Sequence, residues 1–587
     1  MDNTWDLTPL YRDAAAWRHD FDRLPAAAET FAAHRGHLAD SPAALAAAFA
    51  DADEFSRLAE KLYCYAHLLS DENTADNTNR SRLDELTGLL ARLSPLESWF
   101  EPEVMAIDDE TMRTFLTSPE LDFYRRSLEE LLRAKNHILS EPEERLFGQL
   151  SDVLGAPEKT FSILNDADLD FGKIRDEHGK LKQLTHGNYR NFMDSSDRDT
   201  RRRAFKKLYS GYRGLRNTFA ATLDATVRHH VVEAKIRRYP SALAQALEPD
   251  NVPETVYRSL IEAVRSNLDG FADYLELRRE VLGIEKLDMY DLYTPLIPDF
   301  RREYEFDEAV ELVKGALKPL GELYSERLGA AFIQRWIDVP ERKGKRSGAY
   351  SGGCYDSYPY ILLNYNRTLN DVFTLAHELG HSLHSAFSNA AQPYHYADYR
   401  IFVAEVASTT NEILLFEHLL KQSSDPDFRA ALRVHLADEI RGTIFRQTMF
   451  AEFELMIHEL AASGEALSAD LLSREYYRLN DIYHGGKIAA DRDIELEWAR
   501  IPHFYYNFYV YKYATGMSAA LRLAGNILSG NPGMLDRYLG FLSAGDSKDV
   551  IDILRDAGVD LTRPEPVAEA LAFFNTTVSE LRRELGK

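Results

Sequence analysis

Residues 374–385 read TLAHELGHSLHS, and within them His377-Glu378-Leu379-Gly380-His381 forms an HExxH motif. Four residues of α-helix turn through about 400°, so the two imidazoles lie one turn apart on one face and can grip a single ion. The residue after the first histidine then points at the water such an ion activates and can take its proton. The flanks fit a helix. Thr368 and Asp371 have the spacing of an N-terminal capping box, and Val372, Ala376, Leu379, Leu383 and Ala386 form an apolar stripe. The histidines lie beside that stripe, which predicts a site half sunk in a core. Chance alone supplies one HExxH in roughly one chain in twenty of this length, so a third ligand has to decide the matter.

The pattern HExxHxxGxxH would need glycine at 384 and histidine at 387; this chain has His384 and Phe387. The other common solution is a glutamate on a second helix, roughly 20 or more residues on, which leaves one coordination position open. Downstream candidates are His395, Asp398, Glu405 and Glu412. The first two fall in an irregular stretch, 393–400. Glu405 and Glu412 lie seven apart on the helical pattern IFVAEVASTTNEILLFEHLL (401–420), hence on one face. Glu405 stands among Phe402, Val403, Ala404, Val406 and Ala407. Such a carboxylate is expected to be buried, and a buried charge calls for a partner, here a metal ion. Glu412, two turns on, is placed to orient a ligand imidazole through its other nitrogen. His384 is expected to support the site or contact substrate, since as a fourth ligand it would close the site. The reading is one Zn2+ per chain on His377, His381 and Glu405, with Glu378 as general base.

The rest of the chain narrows the setting. Its 587 residues carry a formal net charge of −25, so phosphate backbones are repelled and no nucleic-acid partner is expected. The densest basic stretch, residues 198–207, reads as a solvated helix face. The only two cysteines, Cys64 and Cys354, are far apart in sequence, as in a reducing compartment. No stretch approaches the roughly 18 apolar residues of a membrane span, and the opening residues MDNTWD lack an apolar run. A cytoplasmic location is expected. Helical periodicity dominates 43–70, 123–153, 198–234 and nearly everything after 368. Two β signals interrupt it: 169–184, with a hairpin turn at His178-Gly179, and YPYILLNY at 358–365. Pro359 removes a ladder donor, which predicts a sheet edge for the second. The expected fold is mainly α, with a small β-sheet beside the HExxH helix. It divides into an N-terminal helical region, 1–195, and a region carrying the metal motif, 196–587.

Further blocks accompany the metal motif, in this order: WDLTPLY (5–11), GAYSGGCYDSYPYILLNYN (348–366), FVAEVASTTNE (402–412), RQTMFAEFE (446–454) and WARIPHFYYNFYVYKYATG (498–516). Together they resemble the oligoendopeptidase F group of the thimet oligopeptidase family of zinc metallopeptidases. The resemblance implies a two-lobed helical body enclosing a deep channel, one zinc at its floor, and cleavage of internal bonds in short peptides. It implies substrate binding beside an edge strand before the metal helix, here with Tyr360 and Ile361. It also implies a His and Tyr group that holds the scissile carbonyl: by position His503 and Tyr511, with Tyr506 and Tyr509 contacting substrate. This chain has Phe508 where animal members carry tyrosine, and its spacing after His503 differs.

Three rivals frame that reading. An aminopeptidase would need a glutamate before the motif to grip the free amine, and 358–365 has none. A carboxypeptidase of the same fold would reserve a cation for the C-terminal carboxylate. A non-catalytic, zinc-containing peptide-binding protein would have no need of Glu378. Short peptides are the expected partners; the pattern is silent on oligomeric state.

Overall fold

The structure, a computed structural model, describes residues 3–297, 302–489 and 491–587. Met1 and Asp2, part of the N-terminal reading above, lie outside them. Helices make up most of the described chain. The Ala-rich pattern at 43–70 lies in the helix Pro42–Glu72, where the Ser41 side chain accepts from the Ala44 N–H and Pro42 fills the first turn. The basic stretch opens the 39-residue helix Arg198–Ile236. It is not wholly a solvated face: Arg201 is buried and paired with the fully buried Asp291 at 2.8 Å. Among the described residues, no helix is long and apolar enough to cross a membrane.

Strands β1 (Lys173–Arg175) and β2 (Leu181–Gln183) pair antiparallel around the expected turn, with Gly179 at φ +76°, a conformation glycine adopts without penalty. Strands β3 (Ile337–Pro340), β4 (Tyr350–Gly352) and β5 (Tyr360–Tyr365) form a second sheet in the order β3-β5-β4. β5 runs parallel to β3 and antiparallel to β4.

The sheet corrects one expectation. β5 is central, not an edge. Its pairing begins at Tyr360, so the missing N–H of Pro359 falls before the ladder and costs it nothing. Tyr360 and Ile361 are fully buried, and the Tyr360 hydroxyl donates to the Asp6 carbonyl at 2.8 Å. They are core residues in a strand whose two edges are already used, and they are not exposed to a substrate.

By packing, the chain falls into two compact units. One gathers Met1–Asn136, Arg302–His418 and Leu523–Gly558; the other gathers His137–Arg301, Leu419–Arg522 and Val559–Lys587. Each draws on both sides of residue 195, so the boundary expected there stays a proposal about sequence organisation. In the first unit Trp5, Trp17, Leu62, Leu68 and Leu86 pack in one core with Tyr360 and Leu362 of β5. Cys64 and Cys354 belong to the same core and are both free and buried.

Candidate active site

The metal helix, Leu369–Ala391, begins with the capping box its sequence predicts. Thr368 Oγ1 accepts from the Asp371 N–H at 3.2 Å, and the Asp371 carboxylate accepts from the Thr368 N–H at 2.8 Å. It ends at Gln392, before Pro393. Val372, Ala376, Leu379 and Leu383 are fully buried, which turns His377 and His381 to the half-buried side.

Beside it runs the Glu405 helix, Ile401–Gln422. The two approach closely because Gly380, inside the HExxH motif, has no side chain: an added Cβ would lie 2.5 Å from the Ser408 Cα. Asn411 fastens the pair by donating to the Ala376 carbonyl at 3.1 Å, and Tyr324 holds Asn411 in turn. The sequence reading assigned no role to Gly380 or Asn411, although both stand inside its motif blocks.

This packing brings three ligand atoms into a small triangle. His377 Nε2 and His381 Nε2 are 3.2 Å apart, and Glu405 Oε2 lies 3.4 Å from the first and 3.6 Å from the second. Three corners of a tetrahedron with bonds of about 2.0–2.1 Å are separated by about 3.3 Å, so the donor set fits a zinc ion. Glu412 Oε1 takes the other nitrogen of His377, Nδ1, at 2.5 Å, which leaves Nε2 to face the triangle. The Glu405 carboxylate is half-buried, its side chain 47% exposed, less enclosed than expected. Its apolar neighbours Phe402, Val403, Val406 and Ala407 occupy the other faces of the helix and are buried there.

Charge is shared tightly. Burial pulls the His377 imidazole down, but hydrogen bonds to Glu405 and Glu412 outweigh it and carry its pKa up to about 10. Burial raises Glu405, yet its bonds to both histidines hold it well below the usual carboxylate range. Glu378 is 7% exposed; burial and the Glu405 charge push its carboxyl above the ordinary value, against the pull of both histidines and the Ser351 N–H. That N–H belongs to β4, so the catalytic-base candidate and a sheet edge are in contact. Ser382, on the metal helix, ties the same strand through its hydroxyl, 2.7 Å from Ser351 Oγ and 3.0 Å from the Pro359 carbonyl.

His384 departs from the role of substrate contact. It is 1% exposed, stacked on Tyr399 with ring centroids 3.7 Å apart, and burial holds it neutral with a pKa near 3. It packs. The rejected ligand candidate His395 is engaged elsewhere, by Ser127 Oγ at 2.7 Å and Asp53 at 2.8 Å.

In the second unit, His503 is half-buried among tyrosines. Its Nε2 is 3.2 Å from the Tyr513 hydroxyl, and its ring centroid lies 5.7 Å from Tyr506, 6.1 Å from Tyr509 and 5.8 Å from Tyr513. Burial, then the charge of Arg446, hold it below the ordinary imidazole value. Tyr511 is not in this group. It is 1% exposed, with its ring against Tyr257. Tyr513, which the sequence reading passed over, stands where Tyr511 was expected.

A mainly helical chain with an HExxH helix and a glutamate on the helix packed beside it has the architecture of a metallopeptidase. The chain belongs to peptidase family M3, whose sequence profile matches residues 191–573; the profile of oligopeptidase F matches residues 103–171. It is 42% identical over 587 residues to Oligopeptidase PepF of Bacillus subtilis (strain 168), spanning 100% of this chain and 88% of that protein. It is 41% identical to an Oligoendopeptidase F homolog of Lactococcus lactis subsp. lactis (strain IL1403), across 100% of this chain and 97% of that one. The crystal structure of oligoendopeptidase-F from Enterococcus faecium superposes with a TM-score of 0.76 at 35% identity, covering 97% of this chain and 98% of that chain. The protein is therefore a peptide hydrolase of the metallo-oligoendopeptidase type, and the family implies a metal ion.

Proposed function

We propose that the protein is a zinc-dependent endopeptidase of short peptides, with the ion on His377, His381 and Glu405 and with Glu378 as general base. The observation that carries this is the ligand triangle of 3.2, 3.4 and 3.6 Å, with Glu378 on the same helix. When bound, zinc supplies a Lewis acid and lowers the pKa of a water from about 15.7 to about 7. Glu378, largely enclosed, takes a proton from the attacking water and returns it to the leaving amine. Glu412 keeps His377 in the tautomer that presents Nε2. Among the described residues β4 has a ladder partner on one side only, so its other edge can take an extended peptide through backbone groups, with little dependence on sequence. His503 and Tyr513 are proposed as donors to the developing oxyanion, on family membership and on their own pairing; one such donor contributes about 100-fold in rate.

The test is metal content together with cleavage. Purified protein should hold about one zinc per chain, and His377→Ala, His381→Ala or Glu405→Ala should each remove most of it. A chelator should abolish cutting of an internally quenched peptide, and added zinc should restore it. Products read by mass spectrometry should come from internal bonds of short peptides, with a long unfolded protein left intact. Full zinc and activity in Glu405→Ala would place the third ligand elsewhere; trimming from one terminus only would make the protein an exopeptidase.

A further inference from the structure

The segment around His503 makes an unusual turn: two consecutive residues, Asn507 (φ 45°) and Phe508 (φ 60°), are left-handed. Asparagine tolerates that region, but a bulky aromatic residue rarely enters it unless its surroundings over-determine the conformation. Two contacts do so here. The Phe508 ring is 2% exposed and packs on His458, with centroids 4.4 Å apart, and on Tyr257 at 5.5 Å. The Phe508 N–H donates to Glu454 Oε1 at 2.7 Å.

Glu454 is itself unusual. It lies on the helix Arg446–Ala462, fully buried, with no cation paired to it among the described residues and with Oε2 lacking any hydrogen-bond partner. A buried carboxyl in that state is a net cost to the fold, so the one bond its side chain makes is the reason to look for. That bond closes the turn between Tyr506 and Tyr509, two of the three rings around His503. His458 Nδ1 donates to the Glu454 carbonyl at 2.8 Å, and its Nε2 meets His230 Nδ1 at 3.2 Å, so the aromatic wall behind Phe508 is fixed as well.

We infer that Glu454 is a positioning residue: it pins the left-handed turn at Asn507-Phe508 and so sets Tyr506, Tyr509 and Tyr513 around His503. Its effect on turnover rests on the oxyanion role proposed for His503 and Tyr513; its effect on the turn does not. Burial pushes the Glu454 carboxyl up to about 8, so near neutrality it is largely a neutral acid and a carboxamide can replace it.

The test compares Glu454→Gln, Glu454→Asp and Glu454→Leu in the full-length, zinc-loaded enzyme. Gln keeps the acceptor, Asp keeps the acid but falls one methylene short, and Leu keeps only bulk. Asp and Leu should lower kcat at least tenfold, with KM within about threefold and zinc content unchanged. Gln should stay within about threefold of wild type. Hydrogen exchange at the Phe508 amide should be slow in wild type and Gln and fast in Asp and Leu. Should Leu fail to fold, Asp against Gln decides alone. The inference is overturned if Asp, folded, retains wild-type kcat and a protected Phe508 amide, or if Gln loses as much as Asp. If the amide is freed but kcat is unchanged, and His503→Ala is also fully active, the oxyanion reading fails while the clamp stands.

Discussion

Replacing Gly380 by alanine should dismantle the metal centre without altering a ligand. The new Cβ would meet the Ser408 Cα at 2.5 Å, the Ala407 carbonyl oxygen at 2.9 Å and the Ser408 nitrogen at 2.9 Å. All three are backbone atoms of the Glu405 helix, so no side chain can swing aside. Ordinary contact begins at 3.4 Å, and 3.4 minus 2.5 leaves 0.9 Å by which the helices must part. Glu405 lies one turn from Ser408 and moves with it, whereas metal–ligand distances tolerate only about 0.2 Å. A misplacement near 1 Å costs about 100-fold in a positioned site. Zinc affinity should therefore fall about 100-fold, or about 2.7 kcal/mol, with an overpacking loss of about 1–3 kcal/mol in stability. Competition against a chromogenic chelator measures the first, and denaturant unfolding of the metal-free protein the second. Gly329→Ala is the control, since a Cβ there meets nothing within 4 Å. Zinc affinity within about threefold of wild type in a folded Gly380→Ala would refute the reasoning.

Glu412→Gln should weaken zinc binding about 10–100-fold through the His377 bond alone, read by the same competition; unchanged affinity would make Glu412 a plain surface residue. Glu378→Gln should keep the metal and the fold while lowering kcat about 10²–10⁴-fold, and turnover within about tenfold of wild type would remove its assigned role. Glu454 predicts a pH effect on stability. Its folded-state value is raised from 4.5 to about 8, so the unfolded chain gives up the proton first and stability falls as pH rises through that window. His458 and His230, held near 4 and 3 by burial, stay neutral above pH 5, and Tyr257 is raised beyond the window. Unfolding free energies at pH 5 and pH 8 should thus shift in favour of Glu454→Gln over wild type; a difference that is flat with pH would contradict the buried acid.

What the sequence disclosed was local. Capping at Thr368, the spacing of His377 and His381, and the hairpin turn at Gly179 all depend on neighbours within a few residues. Glu405 was singled out on an overstated burial: apolar residues on either side of a glutamate in sequence lie on other faces of its helix, and the carboxylate is only half-buried. Pro359 misled because a missing donor matters only inside a ladder, and the ladder starts one residue later. The choice of Tyr511 rests on its position in the motif block, which does not say which way a side chain turns. A helix begins at Tyr511, where the ring packs on Tyr257, and Tyr513, two residues on, turns to His503. Where the helix starts decides which tyrosine meets His503. The interleaving of the two units depends on contacts between distant segments, which no local pattern reports.

The metal helix keeps its two histidines far from either end: His377 stands nine residues after Thr368, and His381 ten residues before Ala391. Fraying consumes the first and last turns of a helix and seldom reaches so deep. Thermal loosening at the helix ends therefore leaves the ligand pair undisturbed, and separating the two imidazoles requires the surrounding unit to open. The spacing of the two imidazoles should then persist in the metal-free protein up to the temperature at which that unit unfolds, so that zinc returned to the cooled, still-folded protein finds its histidines in place.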